Sequence, residues 1–341
     1  MRVLSTLYVR DHRASVGLQK GALLVSGPDG KTRVPLNALE GVVMLGAGQI
    51  TTEAMARCVE RNIRVCSLRR NGKVRFVVGG PTSGNVHLRV AQLRAATDVA
   101  SCLALARTFV AGKLQNYRLL LQRWSWDASG LDRDQIVNQQ QAIEDRLRAL
   151  PNARDGDAIR GMEGDGTRRY FKGVAVHLSR EHEAFRYVGR SRRPPRDPVN
   201  ALLSFTYALV LTEITGALES VGLDPQIGFL HGLRPGRPSL SLDLLEEFRP
   251  TTADRFALRM ITLHRVREMH FISTIGGAWY LTDDGRQIVL EGYEEFKDEE
   301  VAHRLLGKRV PRWSLPAIQA TLLARHLRGD LSSYPPHLLE P

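Results

Sequence analysis

The period of the hydrophobic pattern changes near residue 85, and this change restricts the chain to a two-part architecture. Before this point, short apolar runs lie between Gly, Pro and Asp turn signals, which is typical of strands. Residues 50–63 are the exception, because they have a helical pattern with Thr51 or Thr52 as the expected N-cap. From about residue 88 the apolar residues recur at helical spacing. We therefore predict an α+β fold in which a small β-rich N-terminal domain precedes a larger all-helical C-terminal domain.

The predicted domain boundaries follow the same change of pattern. The three parts are residues 1–85 as the β-rich domain, residues 86–97 as a linker and residues 98–341 as the α-helical domain. Residues 88–124 have the pattern of either one long helix or two helices in sequence. Asp197 followed by Pro198 indicates the start of a nearly all-apolar helix, which we expect to be the central buried one. We also predict a β-hairpin within residues 276–290, with its turn at residues 282–285.

Composition excludes several classes of protein. With 341 residues, 43% of them hydrophobic, the chain is long enough for two domains and is expected to be globular. No apolar run reaches the roughly 18–20 residues that a membrane helix needs. The N-terminus also lacks a signal-peptide core, so we expect a cytoplasmic protein that does not enter a membrane. Cys58, Cys66 and Cys102 form no CxxC pair, and we expect buried thiols rather than disulfides or zinc ligands.

The charge of the chain points to an acidic polymer as its partner. Its formal net charge is +12, which favours nucleic acid, and the basic residues are clustered. One cluster consists of Arg61, Arg64, Arg69, Arg70, Lys73 and Arg75. A denser cluster begins at Arg186, and its expected DNA-binding residues are Arg190, Arg192, Arg193 and Arg196. Because only 6% of the residues are aromatic, contacts to a duplex backbone fit better than base stacking. The alternative for either cluster is a solvated basic face.

Residues 231–250, HGLRPGRPSLSLDLLEEFRP, carry the best candidate chemistry in the chain. Asp243 and Glu246 are three residues apart in a segment with helical spacing, so both carboxylates can point at one ion. His231 enters through a loop rich in Gly and Pro that can fold back over this face. Three basic residues alternate with the histidine and the acids, namely Arg234, Arg237 and Arg249. We expect them to bind an anion rather than the metal. Hard oxygen ligands beside arginines suit phosphodiester chemistry, although ordinary surface or core residues are the alternative.

A further ligand would have to come from another part of the chain. Glu163 is the leading candidate, because the glycines on either side of it in GMEGDGTRRYF permit a close approach of the backbone. Asp165 competes with Glu163 for this assignment. An exposed acid on an ordinary helix is the alternative for both residues.

Three segments in series resemble a known family. They are MEGDGTRRYF at residues 162–171, RSRRPPRDPVNALLSFTYALVLTEI at residues 190–214 and GFLHGLRPGRPSLSLDLLEEFRP at residues 228–250. Together they look like the CRISPR-associated spacer-integration endonucleases, the universal adaptation nucleases of CRISPR systems. The resemblance covers nearly the whole chain. It implies that the helical domain is catalytic and that the β-rich domain forms a dimer interface.

The resemblance also implies a site. In that family a Glu, a His and an acid hold one metal ion, Mg²⁺ or Mn²⁺, and the matching residues are Glu163, His231 and Glu246. Asp243 matches a second acid that is important for activity. Many relatives have Asp where this chain has Glu246, and the longer side chain changes the ligand geometry. Arg237 falls where relatives also have a basic residue, near the expected position of the DNA phosphates.

The activity that the resemblance implies is the insertion of short double-stranded DNA fragments into a repeat array. A 3′-hydroxyl attacks a phosphodiester with the help of the metal, and water as the nucleophile gives nuclease activity. The implied partners are DNA, a second copy of the chain as a homodimer, and a small ferredoxin-like CRISPR protein bridged by two dimers. Two alternatives remain: a non-catalytic basic scaffold that only binds DNA, and a metal-dependent nuclease that acts on RNA.

Overall fold

The chain folds as two compact units, Met1–Ser83 and Gly84–Pro341. The computed structural model describes residues 5–9, 11, 13–28, 30–45, 47–61, 63–68, 74–79, 86–179, 183–191 and 193–340. Several residues of the predicted basic clusters lie outside these ranges, namely Arg69, Arg70, Lys73 and Arg192.

The described residues of the N-terminal unit form two four-stranded sheets and one helix. Its elements are β1 Ser5–Val9, β2 Ser15–Gln19, β3 Ala22–Gly27, β4 Gly30–Pro35, β5 Leu39–Leu45, β6 Gln49–Ile50, α1 Thr52–Glu60, β7 Arg64–Leu68 and β8 Val74–Val78. The strand orders are β1-β5-β7-β8 and β4-β3-β2-β6. Val16, Val42 and Cys58 come from both sheets and α1, and they are buried in one core. Thr51 accepts a hydrogen bond from the backbone N–H of Ala54, which confirms Thr51 as the N-cap.

The segment predicted to be a linker is a helix. It forms α2, Val86–Thr97, with Leu88 and Gln92 buried. The Gln92 side chain donates to the carbonyls of Asp224 and Ile227 and accepts from the N–H of Asp224, and these bonds attach the helix to the rest of the C-terminal unit. The linker prediction was therefore wrong for residues 86–97, because a buried glutamine with satisfied hydrogen bonds makes the segment part of a core. Asp98 then caps a new helix, so residues 88–124 form two helices.

The C-terminal unit is mainly helical, as predicted. Its helices are α3 Val99–Asp127, α4 Gly130–Ala149, α5 Gly156–His177, α6 Pro198–Ser220, α7 Ser239–Phe248, α8 Arg255–Thr262, α9 Asp283–Asp298 and α10 Leu315–Leu327, with a π-helical segment, Arg249–Asp254, between α7 and α8. Short 3₁₀ turns occur in both units at Leu36–Ala38, Leu150–Asn152, Glu183–Phe185, Glu268–His270, Arg304–Leu306 and Arg312–Ser314. The unit also contains two short antiparallel hairpins, β9 Phe271–Ser273 with β10 Trp279–Leu281, and β11 Glu300–His303 with β12 Lys308–Pro311. The α+β class is confirmed, but these hairpins correct the prediction of an all-helical domain.

The predicted turn at residues 282–285 is the start of a helix. Thr282 accepts a hydrogen bond from the N–H of Gly285 and is the N-cap of α9. Asp283 and Asp284 occupy the first turn, where their charges are favourable for the helix dipole. The hairpin instead turns between β9 and β10, where Gly277 has a φ of 70°. The same polar residues favour turns and helix starts, and the sequence pattern alone did not distinguish the two.

Helix α6 is the central helix of the C-terminal unit. Asp197 accepts from the N–H of Asn200 and Pro198 occupies the first turn, as predicted. By length and composition α6 would suffice to cross a membrane, in contrast to our expectation that no apolar run is long enough. However, Leu202, Leu203 and Ile214 are fully buried inside the unit. We therefore assign the apolar character of α6 to the core.

Two glycines allow α5 to pack closely against α3. A Cβ atom at Gly166 would overlap Leu114 Cδ2, and one at Gly173 would overlap Leu121 Cδ2. The glycines lie seven residues apart, so they share one face of α5. Because α3 also packs against α7, side chains from three helices meet along α3.

The cysteines are free thiols. Cys58 and Cys66 are buried as predicted, whereas Cys102 is half-buried and its Sγ lies 3.2 Å from the carbonyl oxygen of Phe229. Burial raises the pKa of Cys58 and of Cys102.

Candidate functional site

A buried ion-pair cluster lies where helices α3, α5 and α7 meet. Lys113 of α3 forms an ion pair with Glu163 of α5, and its Nζ lies 2.5 Å from Oε2 of Glu246 of α7. The Lys113 side chain is 1% exposed, so its charge is compensated by these carboxylates rather than by water. The structure thus brings together two acids that the sequence analysis selected. It adds a lysine to which the sequence analysis gave no role.

Glu163 is the more accessible of the two acids. Its side chain is 22% exposed, and its Oε1 accepts a hydrogen bond of 2.9 Å from the hydroxyl of Thr167, one turn further along α5. Burial by itself would raise the pKa of Glu163, but the charge of Lys113 and the hydrogen bonds from Lys113 and Thr167 lower it below its usual value. Glu163 is therefore a charged carboxylate at the edge of the cluster.

Glu246 is buried and charged. Burial would raise its pKa, but the positive charges of Arg249 and Lys113 outweigh burial and lower the pKa to about 2. Arg249 Nε lies 3.3 Å from Oε1 of Glu246. Oε2 accepts no well-aligned hydrogen bond, although Lys113 Nζ is close to it. This oxygen is thus held near a cation by charge rather than by a directed hydrogen bond.

Asp243 orients His231. Oδ1 of Asp243 lies 2.8 Å from the backbone N of His231 and 2.7 Å from its Nδ1. Oδ2 accepts from the backbone N–H groups of Phe229 and Leu230, at 2.6 and 3.0 Å. Because a carboxylate only accepts, Nδ1 of His231 is the donor, and in the neutral tautomer with this bond Nε2 is the nitrogen that can bind a metal. Both oxygens of Asp243 are used in this way, so Asp243 supports His231 rather than facing the ion-pair cluster.

Gly228 allows this arrangement. A Cβ atom at Gly228 would come within 2.7 Å of the carbonyl carbon of Ser239 and within 2.8 Å of Oδ2 of Asp243. A side chain would therefore push the loop away from the start of α7. The glycine before the Phe-Leu-His sequence is a signal for this close approach, and sequence reasoning gave it no role.

Beneath Glu246 lies a buried polar network around Tyr207 of α6. The guanidinium of Arg249 lies over the Tyr207 ring, 4.5 Å from its centre, and the Tyr207 hydroxyl donates to Asp254. Burial raises the pKa of Asp254 to about 6, against the opposing effects of Tyr207 and Arg249. The network holds Arg249 in place beside Glu246. The sequence pattern predicted that Arg249 binds an anion, and the anion that it binds is the carboxylate of Glu246.

The predicted DNA-binding arginines differ in their surroundings. Arg190 donates to Asn200 Oδ1 at 2.6 Å, and its guanidinium lies 5.1 Å from the centre of the Tyr207 ring. These inward contacts favour a structural role for Arg190. Arg193 and Arg196 are exposed, and Arg196 donates to the carbonyl of Gly276 at 2.8 Å.

Two further candidate residues have other surroundings. Arg237 is half-buried in the loop that precedes α7. Asp165, the competitor of Glu163, forms ion pairs with Arg146 and Arg168. Asp165 is therefore engaged at the surface of α4 and α5, and Glu163 is the acid of this segment that faces α3.

The donor set of the site fits a hard divalent cation. Two carboxylates from different helices and one imidazole nitrogen are ligands that suit Mg²⁺ or Mn²⁺. Within the described ranges, however, no three His, Cys, Asp or Glu side chains are already arranged to hold a metal ion. The Lys113 ammonium lies at the point that the carboxylates of Glu163 and Glu246 share. The site as folded is therefore a cation site that is filled by a lysine.

The C-terminal segment, residues 334–339, forms hydrogen bonds with two of the helices that build this site. Glu247 accepts hydrogen bonds from the Tyr334 hydroxyl at 2.8 Å and from the N–H of His337 at 2.7 Å. Asn116 of α3 donates to the carbonyl of His337 and accepts from the N–H of Leu339, both at 2.8 Å. Burial raises the pKa of Glu247 to about 8, despite these hydrogen bonds. The segment thus connects the helices that carry Lys113 and Glu246.

Comparison with known proteins gives consistent matches. The family model described as CRISPR associated protein Cas1 matches residues 7–295. The chain is 40% identical over 338 residues to a CRISPR-associated endonuclease Cas1 of Moorella thermoacetica, covering 98% of both chains. It is 41% identical over 347 residues to one of Rhodospirillum rubrum, again covering 98% of both. Its fold is similar to that of a casposase bound to integration product, with a TM-score of 0.86 and 22% identity over 99% of this chain and 95% of that one.

Proposed function

Because this chain belongs to the Cas1 family of CRISPR-associated proteins, we propose that it is a metal-dependent DNA endonuclease and integrase. In this proposal it inserts short DNA fragments into a repeat array by attack of a 3′-hydroxyl on a phosphodiester. The observation that carries the proposal is the convergence of Glu163 and Glu246, from separate helices, on one buried cation position. A scaffold that only binds DNA has no use for two charged carboxylates held together in this way.

The residues of the site have separate tasks in this proposal. Glu163, Glu246 and Nε2 of His231 would hold the metal, and Asp243 keeps His231 in the tautomer that leaves Nε2 free to bind. At these residues Mg²⁺ or Mn²⁺ would supply Lewis-acid chemistry, which activates a hydroxyl and offsets negative charge on a phosphate. Arg249 holds the carboxylate of Glu246 charged and in place.

The basic surface supplies the DNA contacts in this proposal. Arg193 and Arg196 are exposed and Arg237 is half-buried, so these are the arginines that we assign to phosphates. The net charge of +12 supports a polyanionic partner. The similar fold of a casposase, described as bound to integration product, supports strand transfer into DNA. We further propose, from the family, that the protein acts in the cytoplasm as a homodimer together with a small ferredoxin-like CRISPR partner.

Strand transfer by site variants tests the assignment. A labelled duplex with free 3′-hydroxyls is incubated with a plasmid that carries a repeat array, in the presence of Mn²⁺, Mg²⁺ or EDTA. Glu163→Gln and His231→Ala should lose at least about a hundredfold in rate while they retain folding and DNA binding. Glu213→Gln is a matched control, since Glu213 also pairs with a buried lysine, Lys297, but outside the site. Its rate should equal that of the wild type.

The same assay separates the alternatives. Integration by Glu163→Gln at the wild-type rate would show that the site is assigned wrongly. Binding of DNA with no cleavage or transfer by the wild type in either metal would favour the scaffold. Metal-dependent cleavage of RNA but not of DNA would favour the ribonuclease.

A further inference from the structure

We propose that Lys113 is the built-in counter-ion of the metal-free site, and that Lys113 and the divalent cation compete for the carboxylates of Glu163 and Glu246. The inference rests on the proposed function, because it concerns the same ligands. It adds a positioning residue that couples metal binding to the packing of helices α3, α5 and α7.

The burial of Lys113 requires a partner of opposite charge. Its side chain is 1% exposed in the middle of α3, between Gly112 and Leu114, which are also buried. An ammonium group without water is stable in such a place only when it is paired with anions. Glu163 and Glu246 supply that pairing from two different helices. In turn, the ammonium prevents the two carboxylates from repelling each other when no metal is bound.

The metal and the ammonium need the same oxygen atoms. Lys113 Nζ contacts Oε1 of Glu163 and lies 2.5 Å from Oε2 of Glu246. A divalent cation between these oxygens would lie within a few ångströms of the ammonium, and like charges repel strongly in a buried site. Lys113 must therefore leave at least one carboxylate when a metal enters.

Tyr117 offers a place for the displaced ammonium. Its ring lies one turn further along α3, and Lys113 Nζ is already 5.5 Å from the ring centre. The face of an aromatic ring attracts a cation, and the lysine stem is flexible. The Tyr117 ring is held in position by stacking on Tyr170 at 3.7 Å. The Lys113 ammonium can thus move away from the carboxylates and stay inside the protein with the Tyr117 ring as its partner.

Metal affinity of Lys113 variants tests the competition directly. Lys113→Gln keeps a hydrogen-bond donor but removes the charge, and we expect it to bind Mn²⁺ about tenfold more tightly than the wild type, because a close positive charge has been removed. Mn²⁺ binding is measured by electron paramagnetic resonance of the free ion. Lys113→Arg, which keeps the charge, should bind Mn²⁺ no more tightly than the wild type. Without metal, Lys113→Gln should unfold at a lower temperature, and Mn²⁺ should raise its melting temperature more than that of the wild type.

Lys297 provides the matched control. It is 3% exposed and pairs with Glu213 at 3.0 Å and with Glu294 at 2.8 Å, so it is also a buried lysine between two carboxylates. Lys297→Gln should leave Mn²⁺ affinity unchanged. Equal or weaker Mn²⁺ binding by Lys113→Gln, with normal binding by the wild type, overturns the competition but leaves the proposed function standing. No Mn²⁺ binding by the wild type overturns both.

A measurement on the wild type keeps the test valid if Lys113→Gln does not fold. The ¹⁵Nζ resonance of Lys113 is identified by its absence from the spectrum of Lys113→Arg. Addition of Mg²⁺ should shift this resonance and leave that of Lys297 in place. A Lys113 resonance that does not move while Mg²⁺ binds contradicts the competition.

Discussion

Replacement of Asp243 by Asn should lower both the stability of the protein and its affinity for metal, because this buried carboxylate has four hydrogen bonds. Oδ1 accepts from N and Nδ1 of His231, and Oδ2 accepts from the N–H groups of Phe229 and Leu230. An Asn amide keeps one acceptor oxygen and turns an NH₂ group toward the other pair of donors. Two buried donors then lose a charged acceptor. At about 1.5–3 kcal/mol each, the free energy of unfolding should fall by about 3–6 kcal/mol.

The orientation of the amide decides what happens to His231. With the NH₂ group toward the ring, Nδ1 must accept, so Nε2 carries the proton and cannot bind a metal. With the oxygen toward the ring, the tautomer is kept, but the N–H groups of Phe229 and Leu230 lose their acceptor and the loop shifts. In both orientations we expect Mn²⁺ affinity to fall by about 10- to 100-fold, as is usual when the group that orients a histidine ligand is changed.

Urea unfolding and Mn²⁺ titration measure the two effects. Asp224→Asn serves as the control, since Asp224 lies in the same connection between α6 and α7 and accepts from the N–H of Gln226 at 2.8 Å. It should change the free energy of unfolding by less than about 1 kcal/mol and leave Mn²⁺ affinity unchanged. Wild-type stability and wild-type Mn²⁺ affinity in Asp243→Asn would refute the reasoning.

Three further predictions concern packing, pH and DNA. Gly166→Ala should lower the free energy of unfolding by about 1–3 kcal/mol, because its Cβ overlaps α3. Gly164→Ala, which meets nothing within 4 Å, should instead raise it by up to about 1 kcal/mol in the same urea experiment. The pKa of Glu246 is lowered from 4.5 to about 2, so the stability that its charge contributes is present above pH 4.5 and is lost as the pH falls toward 2. The stability difference between the wild type and Glu246→Gln should shrink over that range, and a constant difference would contradict the assignment. Replacement of Arg193 and Arg196 by Gln should reduce the slope of log Kd against log salt by about 1.8 for duplex DNA. An unchanged slope would show that the two arginines are solvated and do not bind phosphates.

Local chemistry explains the parts of the fold that were predictable. Thr51 and Asp197 cap helices through hydrogen bonds to N–H groups three residues away, so their neighbours in the sequence suffice to identify them. The change of hydrophobic period near residue 85 likewise depends on residues close in the chain. The turn predicted at residues 282–285 failed for the same reason, because Thr and Asp also favour a helix start and only the packing of α9 decides between them.

Contacts between distant residues explain what was missed. The segment predicted as a linker became α2 through Gln92, whose partners lie more than 130 residues away in the chain. Arg190 belongs to a cluster that looks like a DNA-binding surface, but its partners Asn200 and Tyr207 face inward. Neither outcome follows from local composition, since both depend on which groups the fold places opposite each other.

The sequence by itself determined the two-part architecture and the basic character of the chain, and its resemblance to a family indicated Glu163, His231, Asp243 and Glu246 as the candidate site. Only the tertiary structure separated their tasks, with Asp243 bound to the backbone and to His231 while Glu163 and Glu246 face a shared cation. It also placed Lys113 between them. The physical reason is that a buried charge needs partners of opposite charge. The partners of Lys113 come from two helices that meet only when the chain has folded.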